Sequence, residues 1–168
     1  METRTMRIGI MGDTHGNLTI LRKVVEIAGA VDAWIHTGDY SQDARTLEQI
    51  TNLPVYAVCG NCDMYEGRAP VEKLVNLAGH AIWITHGNRY LHGYGEDTLV
   101  ARGQEQKADI VVYGHTHVPV IKWHDNILVI NPGSPARPRM GTPTYGILTM
   151  TGENKPKAEI IEVREKFL

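Results

Sequence analysis

The side chains in this sequence that could do chemistry are carboxylates, an amide and imidazoles, grouped in segments that each contain an adjacent glycine. Five such segments follow apolar runs and carry seven polar residues: Asp13 and His15, Asp39, Asn61, His86, and His115 with His117. Mixed oxygen and imidazole ligands suit Mn, Fe, Co, Ni or Zn better than Ca or Mg alone. The residue types therefore predict a site for transition-metal ions.

The number of candidate ligands indicates two ions. Seven groups are too many for one tetrahedral ion, but they suit two ions about 3.5–4 Å apart that share a carboxylate and a water. A water between two cations loses a proton readily and becomes a nucleophile at neutral pH. Taken singly, Asp13 or Asn61 could be a turn residue, and a loop histidine is more often a surface residue. The joint pattern at five strand ends is difficult to explain by packing.

The apolar runs before these segments have the pattern of strands that alternate with helices. Over the first sixty residues, strand and helix patterns alternate through the ranges 6–11, 18–28, 33–37, 44–52 and 54–58. Asn17 and Asp43 are placed to cap the two helices. This order predicts a parallel sheet with right-handed crossovers, and ligands gather at the carboxyl ends of such strands.

The second half predicts hairpins and one further helix. The expected elements are a hairpin of 71–77 with 80–85, a helix over 96–106, a strand over 109–113, a hairpin of 118–123 with 127–130, and strands over 144–150 and 158–163. Gly103 weakens the helix. Trp34, Trp83 and Trp123 are expected to pack within the sheets. We therefore expect an α/β fold of two mixed β-sheets packed face to face, with helices outside.

Size and composition limit the class of protein. The chain has 168 residues, of which 42% are apolar and 21% charged, with a net charge of −2, which is typical of one globular domain spanning 1–168. Residues 1–5 are expected to form a disordered tail. The sequence has no polybasic footprint for nucleic acid and no membrane span. A cytoplasmic location is the default, and a homo-oligomer is left open.

The two cysteines, Cys59 and Cys62, form a C-x-x-C motif. This spacing can mark a redox pair or half of a zinc site. A structural zinc needs four ligands, and a second cysteine pair is missing from the sequence. A thioredoxin-like pair usually opens a helix, whereas residues 54–58 predict a strand that runs into Cys59. The plain interpretation is one core thiol and one loop thiol, and we favour it for Cys59.

In order and spacing, these segments are similar to a known signature. Asp13-x-His15, Gly38-Asp39, Gly60-Asn61-x-Asp63, His86-Gly87 and Gly114-His-x-His117 resemble the signature of the calcineurin-like metallophosphoesterases. The resemblance runs from about residue 6 to about residue 135, and the short length with Asn131-Pro-Gly-Ser134 is similar to the small prokaryotic, YfcE-like phosphodiesterase branch. It implies a four-layer α/β/β/α sandwich with a two-metal site.

The resemblance also implies a role for each ligand. Asp13, His15 and His117 would hold one ion. Asn61, His86 and His115 would hold the other, and Asp39 would bridge both. With these ions, Asp39, Asn61 and His86 would serve catalysis, as a hydroxide bridging the cations attacks a P–O bond of a small phosphodiester. Manganese is the first choice of metal, with Ni, Fe or Zn as alternatives.

This chain departs from the family pattern near the leaving group. Cys62 stands where many relatives have a histidine that protonates the leaving oxygen, so Cys62 and Asp63 are the candidates for the leaving-group site. Since nearby cations favour the thiolate, we expect a preference for good leaving groups, such as aryl diesters. Arg137 and Arg139 lie in a Pro-rich loop and are candidates for binding substrate phosphate, although solvated loop charges would explain them equally well.

Other functions are compatible with the same fold. A phosphomonoesterase or a dinucleoside polyphosphate hydrolase would use similar ligands. A retromer subunit with this fold is a non-catalytic scaffold, and scaffold relatives have lost some of their ligands. All seven positions here carry ligand-type side chains, which favours an enzyme.

Overall fold

The computed structural model describes residues 4–40, 42–61, 63, 69–91, 95–139, 141–152 and 154–164. Within these ranges the chain forms helices and strands in the following order: β1 (Thr5–Met11), α1 (Leu18–Ala28), β2 (Ala33–His36), α2 (Gln42–Thr51), β3 (Val55–Ala57), β4 (Glu72–Leu77), β5 (His80–Thr85), α3 (Asp97–Glu105), β6 (Ile110–Val112), β7 (Val120–His124), β8 (Ile127–Asn131), β9 (Thr144–Thr151) and β10 (Lys157–Glu162).

The strands form two mixed sheets of five strands each. The first sheet has the order β10-β9-β1-β2-β3, in which β1, β2 and β3 are parallel and β9 and β10 are antiparallel additions. The second has the order β4-β5-β6-β8-β7, in which β5, β6 and β8 are parallel and the edge strands are antiparallel. Both predicted hairpins, β4–β5 and β7–β8, are confirmed.

The two sheets enclose one apolar layer, and the helices cover their outer faces. The layer between the sheets includes Ile10 and Ile35 from one side and Ile84 and Val112 from the other. Helices α1 and α2 pack on the outside of the first sheet, and α3 packs on the outside of the second. The expected four-layer α/β/β/α sandwich is thereby confirmed. Within the described ranges, none of the helices is long and apolar enough to cross a lipid bilayer.

Local contacts account for the start of α1 and for the glycine within α3. The Asn17 side chain accepts a hydrogen bond from the Ile20 N–H at 3.1 Å and caps α1 as predicted. Gly103 is compatible with α3 because the helix lies close to β6 at that point. A Cβ on Gly103 would lie 2.6 Å from Val111 Cγ2, so glycine permits the close packing.

Three expectations need correction. Asp43 does not cap a helix that starts at residue 44, because α2 begins at Gln42 and the Asp43 carboxylate instead accepts hydrogen bonds from Thr14 and Gly16. Trp123 is 41% exposed on the edge strand β7, with Lys155 over its ring. Thr5, expected in a disordered tail, is the first residue of β1.

Candidate metal centre

The seven predicted ligands lie where the parallel strands of both sheets end. Asp13 and His15 follow β1, Asp39 follows β2 and Asn61 follows β3, while His86 follows β5 and the two remaining histidines follow β6. The structure brings all seven into one cluster through the short distances described below: Asp13, His15, Asp39, Asn61, His86, His115 and His117. Sequence spacing could not show this, because the segments come from two different sheets.

One half of the cluster is formed by Asp13, His15, Asp39 and His117. One possible ligand atom from each residue lies within 4.8 Å of the others. Asp13 Oδ1 and His15 Nε2 are buried without a hydrogen-bond partner among the described residues. A buried polar atom without a partner costs free energy, so these atoms fit a bound cation.

The protonation of His117 is coupled to Asp13. His117 Nε2 lies 3.2 Å from Asp13 Oδ1. Burial acts to raise the pKa of Asp13, but His117, His86 and the His115 N–H outweigh burial and lower it. The nearby Asp13 carboxylate raises the pKa of His117. His117 Nδ1 donates to the Arg137 carbonyl at 2.6 Å, so a neutral ring turns the lone pair of Nε2 toward Asp13. A proton or a cation is therefore needed between these two atoms.

The other half of the cluster is a row of close polar atoms. Asn61 Oδ1 lies 3.1 Å from His115 Nδ1, which lies 3.3 Å from His86 Nε2. His86 Nε2 in turn lies 3.4 Å from Asp39 Oδ1. His86 Nδ1 donates to the Thr37 carbonyl at 2.8 Å, so Nε2 of the neutral ring has a lone pair. Amide, imidazole and carboxylate atoms in such a row are ligand types suited to a cation.

Asp39 belongs to both halves. It is one of the four residues of the first half and is also the carboxylate nearest to His86 Nε2, because Asp13 Oδ1 is 3.9 Å from that nitrogen. Asp39 is only 3% exposed. Its position between the two halves is the arrangement expected of a shared ligand.

The backbone at the site is held in an unusual conformation. Five of the seven residues have positive φ angles between 50° and 70°: Asp13, His15, Asp39, His115 and His117. Residues with a Cβ rarely adopt this conformation, which concentrates at functional sites. Glycine permits close approach here: a Cβ on Gly60 would lie 2.2 Å from Asp39 Oδ1, and one on Gly114 would lie 2.8 Å from Asp13 Oδ2.

A buried hydrogen-bonded chain supports the loops of β1 and β2. The Gly38 N–H donates to His36 Nδ1 at 3.2 Å, so Nε2 carries the proton and donates to Thr14 Oγ1 at 3.0 Å. The Thr14 hydroxyl then donates to Asp43 Oδ2. The part that His36 plays is therefore structural. The sequence did not indicate the roles of Thr14 and Asp43, because only the folded chain brings α2 next to the loop after β1.

The neutral state of His36 predicts acid sensitivity of the metal-free protein. Burial lowers the pKa of His36 below its ordinary value of 6.5, so the folded ring stays neutral while the unfolded chain takes up a proton. Stability is therefore present above pH 6.5 and falls below it, by about 1 kcal/mol per pH unit for one proton. Urea unfolding measures the free energy of unfolding at pH 7.5 and at pH 5.5. The decrease between the two pH values should be smaller for His36→Asn than for wild type. An equal decrease in both proteins would contradict a neutral, buried His36.

A second support comes from the loop after β8. Ser134 Oγ donates to the Asp13 carbonyl at 2.9 Å, and Asn131 Nδ2 donates to the Gly114 carbonyl at 3.1 Å. The sequence offered Asn131-Pro-Gly-Ser134 only as a mark of a family branch. The structure shows that this loop holds the backbone that carries Asp13 and His115.

The remaining candidates have varied surroundings. Cys62 lies outside the described residues. Asp63 is buried, and its Oδ2 accepts the Gly60 N–H at 2.7 Å, which closes the loop that carries Asn61. Two further histidines lie outside the cluster: His124 Nε2 is 3.1 Å from Glu96 Oε2, and His80 Nδ1 is 3.8 Å from Asp109 Oδ2. His92 is outside the described residues.

The predicted phosphate-binding arginines are exposed beside the cluster. Burial is the main reason that the pKa of His15 is lowered, and the charge of Arg137 adds to it. Burial and the neighbouring His86 likewise lower the pKa of His115, and Arg139 acts in the same direction. Both guanidinium groups are thus close enough to act electrostatically on the site.

Comparison with known proteins finds similarity to one family along most of the chain. A model of the calcineurin-like phosphoesterase superfamily domain matches residues 6–153. A Methanothermobacter thermautotrophicus protein named "Probable metallophosphoesterase" is 36% identical over 166 residues, which cover 93% of this chain and 92% of that protein. The phosphodiesterase YfcE of Escherichia coli is 30% identical over 168 residues, which cover 85% of this chain and 87% of YfcE.

Solved structures show the same fold. A conserved protein from Streptococcus pneumoniae, described as a predicted phosphoesterase, superposes with a TM-score of 0.81 at 29% identity and covers 95% of this chain and 91% of its own. Vacuolar protein sorting 29 from Cryptosporidium parvum superposes with a TM-score of 0.75 at 20% identity and covers 94% of this chain and 97% of its own. The second likeness concerns the fold alone.

Proposed function

Because the chain belongs to the calcineurin-like phosphoesterase superfamily, we propose that its seven-residue cluster hydrolyses small phosphodiesters with two divalent metal ions. The row of facing ligand atoms from Asn61 to Asp39, together with the unpartnered buried atoms of Asp13 and His15, is the observation that carries the proposal. The clustered acceptors fit cations of the type that the oxygen and imidazole ligands favour.

The ligands divide between the two ions as the halves of the cluster suggest. Asp13, His15 and His117 would hold one ion, and Asn61, His86 and His115 would hold the other, with Asp39 shared. When bound, two such ions polarise phosphoryl oxygens and supply a nucleophilic hydroxide at neutral pH. Manganese is our first choice, and Fe, Ni and Zn remain compatible with the ligand types.

The protein side chains orient these groups. The hydrogen bond from His86 Nδ1 to the Thr37 carbonyl fixes the ring and its tautomer. Asn61 is exposed at the rim, where an amide N–H can donate to a phosphoryl oxygen of the substrate. Asp39 places negative charge between the two halves and holds their spacing. We therefore assign Asp39, Asn61 and His86 to catalysis.

Removal of either arginine should weaken substrate binding and have little effect on kcat. Arg137→Ala and Arg139→Ala should each raise KM for a diester about 10-fold, because a charge-assisted contact with phosphate would be lost. Steady-state kinetics should leave kcat within a few-fold of wild type. Arg22→Ala, at an exposed position on α1, is the matched control. An unchanged KM in both variants would mean that these are solvated loop charges.

The substrate is best tested with diesters and monoesters side by side after metal reconstitution. We expect diesters to be hydrolysed faster, and aryl diesters best, because Cys62 replaces the usual proton donor. Faster monoester or dinucleoside polyphosphate hydrolysis would instead favour those activities. A protein that binds both ions and hydrolyses none of these substrates would be a scaffold, which is the less supported alternative because all seven ligand-type side chains are present.

We also propose that residues 1–168 act as one domain in the cytoplasm, where small soluble phosphodiesters occur. A charge of −2 fits such a substrate better than a nucleic-acid polymer. A homo-oligomer is compatible with this proposal.

A further inference from the structure

An exposed aromatic residue lies at the rim of the metal centre. Tyr40 directly follows Asp39, and 44% of its surface is exposed. Its ring centroid is 5.5 Å from that of His15, with an angle of 59° between the two rings. An aromatic side chain is therefore in contact with a proposed metal ligand and also open to solvent.

The backbone holds this ring in place at a conformational cost. Tyr40 has a φ of 66°, which is unfavourable for a bulky side chain, and glycine or asparagine would fit the turn with less strain. The Tyr40 carbonyl accepts the Asp43 N–H at 2.8 Å at the start of α2. The Tyr40 ring also lies against Gly16, where a Cβ would be 3.5 Å from Cδ1 and Cε1. The turn thus keeps a large ring outside the core and beside the site.

A candidate phosphate-binding arginine lies close to the same histidine. The Arg137 carbonyl accepts a hydrogen bond from His117 Nδ1 at 2.6 Å, and the His117 ring centroid is 5.3 Å from that of His15. The Tyr40 ring contacts the same His15 ring. A bound phosphodiester would have its phosphoryl group near the cations and arginines, and one of its substituents could reach the Tyr40 ring. A planar substituent gains free energy by stacking on such a ring, whereas an alkyl substituent gains much less.

We propose that Tyr40 is a stacking platform for a planar aromatic substituent, either an aryl group or a nucleobase, of the phosphodiester substrate. This inference rests on the proposed function and names the substrate class. It assigns Tyr40 to specificity, since the ring touches the substituent and takes no part in holding the metal ions.

The test compares non-hydrolysable ligands that differ only in the planar group. Calorimetric titration of the manganese-reconstituted protein should show that phenylphosphonate binds about 5- to 30-fold more tightly than methylphosphonate. Tyr40→Ala and Tyr40→Leu should bring this ratio close to one, whereas Tyr40→Phe should keep it. The 5′-methylenephosphonate analogues of adenosine monophosphate and ribose 5-phosphate, in which carbon replaces the ester oxygen, repeat the comparison for a nucleobase. The pair that shows the Tyr40-dependent ratio identifies the kind of planar group.

Control measurements distinguish a failure of the Tyr40 proposal from a failure of the proposed phosphodiesterase function. Trp123→Ala removes an aromatic residue of similar exposure, 41%, outside the cluster and should leave both ratios unchanged. Bound metal is measured for every variant, and methylphosphonate affinity reports whether the cations still bind phosphate groups. If methylphosphonate binds and both affinity ratios are unchanged in Tyr40→Ala and Tyr40→Leu, Tyr40 is not a stacking platform, while the proposed function stands. If methylphosphonate does not bind the wild type, both proposals are overturned.

Discussion

Asp39→Asn should lower kcat for diester hydrolysis by more than about 100-fold, and by more than either His15→Ala or His86→Ala. Changes in residues that only orient metal ligands already cost about 10- to 100-fold. Asp39 is 3.4 Å from His86 and is also grouped with Asp13, His15 and His117. Its loss removes the negative charge between two cations, whereas each histidine variant removes one neutral imidazole.

The measurement is kcat together with bound metal for all three variants. The control is Asp125→Asn, the same change at an exposed turn residue with a φ of 52°, where asparagine is tolerated. This control should behave as wild type. Should Asp39→Asn bind two ions and turn over normally, Asp39 would not be the shared ligand.

Chelation should reduce hydrolysis to the uncatalysed background, because bound cations lower the pKa of water far below its free value, to about 7. Titration with Mn²⁺ should restore the rate as the metal content approaches two equivalents per chain, as measured by elemental analysis. The same titration should raise the thermal midpoint. At a free metal concentration of 100 times Kd, each site adds about 2.7 kcal/mol to the free energy of unfolding.

The thermal measurement gives a result that does not depend on activity. His117→Ala should lose much of the stabilisation by metal, since this histidine belongs to the first half of the cluster. His124→Ala, at a histidine paired with Glu96 outside the cluster, should keep it. Full hydrolysis by protein that retains no measurable metal would refute the two-ion proposal, as would restoration of the full rate and stability at one equivalent.

The fold could be predicted from the sequence where local signals were sufficient. The boundaries of α1 agree with the prediction at both ends because Asn17 and Gly29 act on neighbouring backbone. Asp43 failed as a cap because its carboxylate binds Thr14 and Gly16, which only the packed chain brings near. Trp123 failed as a core residue because β7 is an edge strand, and sheet order cannot be read from a strand's own pattern.

The sequence by itself determined which side chains are the candidate ligands and that each follows a strand, because a glycine, a polar residue and an apolar run are adjacent in the chain. Only the tertiary structure decided how these residues meet. The His115 N–H donates to Asp13 Oδ2 at 3.1 Å across 102 positions of sequence. The tautomer of His86, the shared place of Asp39 and the exposed ring of Tyr40 depend on such contacts, which arise only when two separately formed sheets pack face to face.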